Sequence, residues 1–196
     1  MDDNTSKILS ILKNLVLEMD IAIREMENLE SLPTSGRRMS KKGYDLLKEW
    51  EGKAKAVYLD SKGNWTIGYG HLLTQEEQGS DSVVIDGETF RFSDGLSDMG
   101  IDLLLRKDVI EHTKEALKHM KYPALLNQDQ FDAIMSFVFN VGVPQFADST
   151  LLRRLNEGNF DDVPHQLRRW VYVGKAKSQG LINRREKEIK LWNGEL

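Results

Sequence analysis

Residues 51–71 read EGKAKAVYLDSKGNWTIGYGH, and their order of charges, β-formers and glycines decides the fold. Just upstream, SKKGYDLLKEW (40–50) has Ser40 as an N-cap and Tyr44, Leu47 and Trp50 at helical spacing, with Gly52 as a stop. Glu51 is therefore expected in the last helical turn. The negative partial charge of that helix end disfavours a carboxylate and favours the protonated form. AVYLD and NWTIG read as strands around the short loop Ser61-Lys62-Gly63. In such a hairpin Asp60 and Thr66 lie near one another across the turn. Gly68 and Gly70 then admit backbone conformations that other residues avoid. Two carboxyls on one cleft are the minimum apparatus for breaking a glycosidic bond. One protonates the leaving oxygen, and the other steers water or stabilises the developing cation.

The spacing of Glu51, Asp60 and Thr66 ahead of TIGYGH resembles the catalytic signature of bacteriophage-type lysozymes, glycoside hydrolase family 24. The likeness runs from Ser40 to the C-terminus through SFVFNVG (136–142), QFADSTLLRRLN (145–156) and LRRWVYVGKAKSQGLINRREKE (167–188). The second half is most similar to the lambdoid endolysins. The resemblance implies a muramidase that hydrolyses the β-1,4 bond between N-acetylmuramic acid and N-acetylglucosamine in peptidoglycan, without a cofactor or metal. It implies Glu51 as general acid, Asp60 as stabiliser of the sugar cation or orienter of water, and Thr66 as holder of that water. It further implies sugar contacts from Leu72, Phe139 and Ser149, and Arg184, or its neighbour Arg185, as partner of the acid. Such a partner favours the charged form of Glu51, against the helix end.

Read without the resemblance, the same residues have plainer roles. Leu72 and Phe139 suit a core, Ser149 suits the N-cap of STLLRRLN, and Arg184 suits a solvated basic helix face. His71 reads as a structural hydrogen-bonder rather than a base. Two alternatives to the muramidase remain: a non-catalytic peptidoglycan-binding module, which has no need of the acid, and a chitin-directed hydrolase.

Composition narrows the chemistry. The chain has 196 residues, no cysteine and four histidines. A catalytic thiol, a disulfide frame and thiolate zinc sites are excluded, and no His-Glu-x-x-His pattern marks a zinc hydrolase. The net charge is −4, which argues against nucleic acid as a partner and against broad attraction to anionic polymers. That charge is unevenly spread. Residues 76–115 hold eleven acidic and four basic residues, net −7, and residues 166–190 hold eight basic and two acidic, net +6.

Downstream of the hairpin the pattern is mainly helical. Ile101, Leu104, Leu105, Val109, Leu117 and Met120 keep helical spacing, and NQDQFDAIMSFVFNVG begins at a capping Asn127 and is apolar nearly all round, as a buried central helix is. Shorter helices are expected around 149–157, 161–171 and 181–192, with Gly158 as a stop. SVVIDGETFRFSDG carries an Asp86-Gly87 turn between β-formers, a hairpin beyond the family pattern. The whole is an α+β, lysozyme-like fold: a small antiparallel hairpin lobe with a mainly helical lobe.

Residues 1–39 are expected to be an appendage to a catalytic domain over 40–196. Ile8, Leu12, Leu15, Met19, Ala22, Met26 and Leu29 follow alternating four- and three-residue steps, and Leu9, Val16 and Ile23 flank them. This amphipathic helix suits the enzyme's own surface, self-association or a protein partner. Charges interrupt every apolar run, so neither a signal peptide nor stable membrane insertion is expected. The protein is then expected to be made in the cytoplasm. It would reach the periplasm or cell wall through a holin-opened membrane as an endolysin, or through a secretion system as an antibacterial effector.

Overall fold

The computed structural model describes residues 36–60 and 62–196. Arg38–Leu196 form one compact unit. The amphipathic helix expected within residues 1–35 lies outside the described residues.

Helix α1 (Lys41–Trp50) begins as expected, with the Ser40 side chain accepting from the Gly43 N–H. Its other end differs from expectation. Glu51 is already extended, with φ −91° and ψ 128°, so it caps the helix instead of completing its last turn. The chain passes straight into strand β1 (Ala54–Leu59), so the exit needs no left-handed glycine.

Strands β1, β2 (Trp65–Gly68) and β3 (His71–Leu72) form an antiparallel sheet in that order. Tyr58 faces Thr66, and Thr66 faces Leu72, so the three form one row across the sheet. Ile67 and His71 pair on the opposite face, with Ile67 fully buried. Gly68 and Gly70 adopt φ of 66° and 87°, which lets β2 turn back into β3 within two residues. After α2 (Gln75–Ser80), the Asp86-Gly87 turn joins β4 (Ser82–Ile85) to β5 (Glu88–Arg91), with positive φ at both turn residues. This is the second hairpin expected from the sequence.

The helical lobe surrounds α4 (Gln128–Val141), whose residues Phe131–Val138 are all buried. Asn127 and Gln130 close a reciprocal capping box at its start. Helix α3 (Asp98–Leu117), α1 and the final helix α8 (Gln179–Trp192) all pack against α4. Between α4 and α8 lie α5 (Val143–Ala147), α6 (Thr150–Asn156), α7 (Val163–Arg168) and a short hairpin, β6 (Tyr172–Val173) with β7 (Ala176–Lys177). Sequence periodicity did not mark α2, α5 or the β6–β7 hairpin, because each is too short to show a period.

Two fastenings fix the lobes that flank Glu51. At the start of α1, the fully buried Asp132 of α4 accepts from the Ser40 backbone at 3.0 Å, from its hydroxyl, and from Gln128 at 2.7 Å. Gly43 lies so close that an added Cβ would meet Met39 Cγ at 2.4 Å and Asp132 Cγ at 2.9 Å. At the sheet, His71 is held between two carboxylates. Its Nδ1 lies 2.9 Å from Asp108 of α3, and its Nε2 lies 3.2 Å from Glu77 of α2. Burial works against the imidazolium, but the hydrogen bond and charge of Asp108, joined by Glu77, outweigh it and raise the His71 pKa above its ordinary value of 6.5. Both ring nitrogens then donate, which makes His71 a structural tie.

A histidine with a raised folded pKa stabilises most below its unfolded pKa and loses that contribution as pH rises through the folded one. His71→Gln should therefore cost about 1.5–3 kcal/mol near pH 6, the range for charge-assisted hydrogen bonds. Melting temperatures of wild type and variant, measured from pH 5 to 9, should converge on the alkaline side. A constant gap would show that the tie is not ionic.

Candidate active site

Glu51 stands where α1 ends, and its side chain is about a quarter exposed, at 23%. Arg184 of α8 donates from Nη1 to Glu51 Oε1 at 2.6 Å. The guanidinium is itself buried, with its side chain 5% exposed, and it donates from Nη2 to the Ser136 carbonyl at 3.2 Å and from Nε to Glu188 Oε1 at 3.3 Å. The acid is thus fixed from the helical lobe by an arginine that has no rotamer freedom to spare. Of the two arginines the resemblance implies, Arg184 is the one that touches Glu51.

Asp60 follows the last residue of β1. Its Oδ1 accepts from the backbone N–H groups of Lys62 and Asn64, both at 2.8 Å, and its Oδ2 accepts from the Asn64 side chain at 3.1 Å. The Asn64 backbone bond, reinforced by its side chain and by Lys62, lowers the Asp60 pKa below its ordinary 3.8. The group is therefore a carboxylate at neutral pH. An ionised carboxylate has about four lone-pair sites, so one remains for a water or a sugar cation. Thr66 is buried, and its hydroxyl donates to the Asn64 carbonyl at 3.1 Å. Asn64 thus links Asp60 to Thr66 through one backbone unit, and the donating hydroxyl keeps its own lone pairs for a water.

Leu72, the row neighbour of Thr66, is 55% exposed, so it is no core residue. Tyr58, on the other side of Thr66, is also exposed, at 40%. Phe139 is half-buried on α4, with its ring 5.4 Å from that of His112. Ser149 is buried and occupied: its hydroxyl donates to the Phe146 carbonyl at 2.7 Å and accepts from the Leu152 N–H at 3.0 Å. It is the N-cap of α6, as its plainer reading holds. A groove of about 500 Å³ opens beside it, lined also by Gln145, Asp148, Thr150, Arg169 and Trp170.

Sequence reasoning missed Glu188, Ser136 and Asn140, which lie behind the acid. The signal was present in Arg184-Arg185-x-x-Glu188, where both arginines are at helical spacing from one carboxylate. Among the described residues, no cluster of histidine, aspartate and glutamate could hold a metal ion.

The chain as a whole has relatives. A family model described as phage lysozyme matches residues 48–188. An endolysin of Acyrthosiphon pisum secondary endosymbiont phage 1 is 32% identical over 158 residues, covering 79% of this chain and 97% of that protein. A solved mutant of the lysozyme of phage P22 is 31% identical with a TM-score of 0.65, covering 80% of this chain and 99% of that one. The muramidase domain of SpmX from Asticaccaulis excentricus is 30% identical with a TM-score of 0.63, over 80% of this chain and 98% of that one.

Proposed function

Because the chain belongs to the phage lysozyme family, we propose that it cuts the β-1,4 bond between N-acetylmuramic acid and N-acetylglucosamine, with Glu51 as its general acid. The observation that carries this reading is Glu51 itself. It is a partly exposed carboxyl held by one buried arginine at a helix end, within reach of substrate and fixed in direction. Glu51 gives its proton to the glycosidic oxygen as the C1–O bond breaks. Positive charge then develops on the sugar ring, and the Asp60 carboxylate offsets it or directs a water to C1. The Thr66 oxygen accepts a hydrogen bond from that water; as the water oxygen bonds to C1 its proton passes to Asp60, and exchange with solvent then returns a proton to Glu51 for the next cycle. Tyr58 and Leu72, which flank Thr66, offer exposed apolar surface to the sugar faces. Phe139 supplies the same from the helical lobe, and the groove beside Ser149 is a further place for a sugar.

The biological role we infer is that of an endolysin: wall digestion from within after release through an opened membrane. The relative from the endosymbiont phage, which matches almost end to end, supports this role. Among the described residues no helix is long and apolar enough to cross a membrane. An N-terminal appendage is part of this reading, ending before Arg38 rather than at residue 39, because the buried Met39, the catalytic residues and the core around α4 all lie within the Arg38–Leu196 unit.

Digestion of purified peptidoglycan followed by identification of the new reducing ends tests the bond. Muramic acid ends are expected; glucosamine ends would make it a glucosaminidase, and no ends would make it a binding module. Glu51→Gln keeps the shape and removes the transferable proton, so hydrolysis should fall about 10²–10⁴-fold while the fold survives. A correctly folded variant retaining more than a tenth of the activity would refute the assignment.

Asp60→Asn and Thr66→Ala should lower kcat more than they raise KM, since both act on the water and the developing charge. An effect confined to KM would make them substrate contacts instead. A fragment of residues 39–196 should fold and digest purified peptidoglycan, with light scattering reporting whether the full chain self-associates where the fragment does not. An unfolded or inactive fragment would make the N-terminal segment part of the enzyme.

A further inference from the structure

Behind the acid lies a set of charges that the proton transfer does not itself use. Glu188 is completely buried, and so is Arg185, the next residue along from Arg184. Glu188 Oε1 accepts from the Ser136 hydroxyl at 2.8 Å and from Arg184 Nε at 3.3 Å. Its Oε2 lies 3.0 Å from Arg185 Nη1, but without hydrogen-bond alignment, so charge rather than a directed bond holds that pair. Arg185 donates from Nη2 to Asn140 and rests 4.9 Å over the Phe137 ring. A buried glutamate with no aligned partner on one oxygen is costly, and replacing such pairs by apolar residues often raises stability. Stability alone is therefore a weak reason for its presence.

We propose that Glu188 is a positioning residue for the acid: a buried counter-charge that shares Arg184 with Glu51 and so sets how readily Glu51 takes up its proton. This rests on Glu51 being the general acid. An arginine facing a carboxylate favours its charged form, whereas a general acid must hold its proton. Glu188 divides that attraction. It draws on Arg184 from the side away from the cleft, in a medium where charges are weakly screened. Arg185 limits the effect by competing for Glu188 and by adding its own positive charge near Glu51. Burial raises the Glu188 pKa above its ordinary value against the pull of Arg185, Arg184 and Ser136, and those three partners are what the charged form depends on. The other groups around the acid are neutral or paired. Ser136 and Asn140 of α4 carry no charge, Lys187 pairs with Glu49 at the exposed end of α1, and Asp60 is engaged in its own turn.

The two buried partners give opposite expectations. Glu188→Gln keeps the size and the Ser136 contact but removes the charge, so Arg184 closes on Glu51. The alkaline limb of the pH–rate profile, where a general acid loses its proton, should move down by about one pH unit, a tenfold loss of active enzyme above it. Arg185→Gln leaves Glu188 to Arg184 alone and removes a cation, so the limb should move up. Carbon-13 NMR of the Glu51 carboxyl in wild type and both variants reads the same shifts without catalysis. A purely structural role would lower the melting temperature and the amplitude of the profile but leave both midpoints in place, and that result in a folded Glu188→Gln overturns the proposal. Should Glu188→Gln not fold, Arg185→Gln decides: a rise supports the counter-charge, and an unmoved midpoint overturns it. An NMR midpoint that moves while the rate profile stays fixed would instead show that Glu51 is not the acid, and the function proposed above would fail with it.

Discussion

The guanidinium of Arg184 is the joint on which the active face of the molecule depends. It is buried where α1, α4 and α8 meet, and each of its three nitrogens has its own acceptor: a carboxylate from α1, a carbonyl from α4 and a carboxylate from α8. A planar fork with fixed donors suits this task, whereas a lysine would supply one mobile charge. The joint explains why the ends of α1 are so differently treated. The start is tied to α4 through Ser40 and Asp132, with Gly43 admitting the close approach. The far end is released from helical geometry one residue early, so that Glu51 leans towards the arginine. Helix α1 is thus a lever pinned at both ends.

The hairpin solves the complementary problem of holding an anion at the surface without burying it. Asp60 gains its low pKa from the turn it closes, since the backbone donors that shape the loop also stabilise the charge. In the proposed function the same residue would serve structure and chemistry, and Asn64 bonds to both Asp60 and Thr66. The sheet carrying them is only three strands wide, and its third strand is two residues long, so it relies on packing against the helices. Its anchorage is the opposite face, where Ile67 is buried and His71 is gripped by Asp108 and Glu77.

What could be read from the sequence follows from how local each feature is. Ser40, Asn127 and the Asp86-Gly87 turn were legible because caps and turns are decided within four residues. The central helix was legible because six of its eight consecutive buried positions are apolar, with only Asp132 and Ser136 polar among them. The position of Glu51 was misjudged by one residue, since a cap set by a tertiary ion pair leaves no local trace. Ser149 shows the reverse case, where a local capping signal decided the side chain and its hydroxyl is fully engaged there. Leu72 reads as core by residue type alone, and only strand pairing beside Thr66 places it in the open. Glu188 escaped notice because a buried charge looks like a surface charge until its partners are known.

The uneven distribution of charge takes on another meaning in three dimensions. The basic stretch 166–190 looks like a surface for a polyanionic wall, yet much of it is engaged within the protein. Arg184 and Arg185 are buried, Arg168 pairs with Glu186, Lys187 pairs with Glu49, and Arg169 donates to Gln166. The acidic stretch 76–115 is likewise met by cations from elsewhere. Lys55 and Lys53 hold the Asp98 carboxyl at about 2, Lys48 pairs with Asp102, and Lys118 pairs with Glu115. Part of each block is therefore engaged within the protein, which weakens any field that would gather substrate from a distance. Recognition of the wall is left to short-range contacts in the cleft. In the function proposed above, the exposed residues beside Thr66 and the groove beside Ser149 would supply those contacts, with little dependence on the charge of the whole.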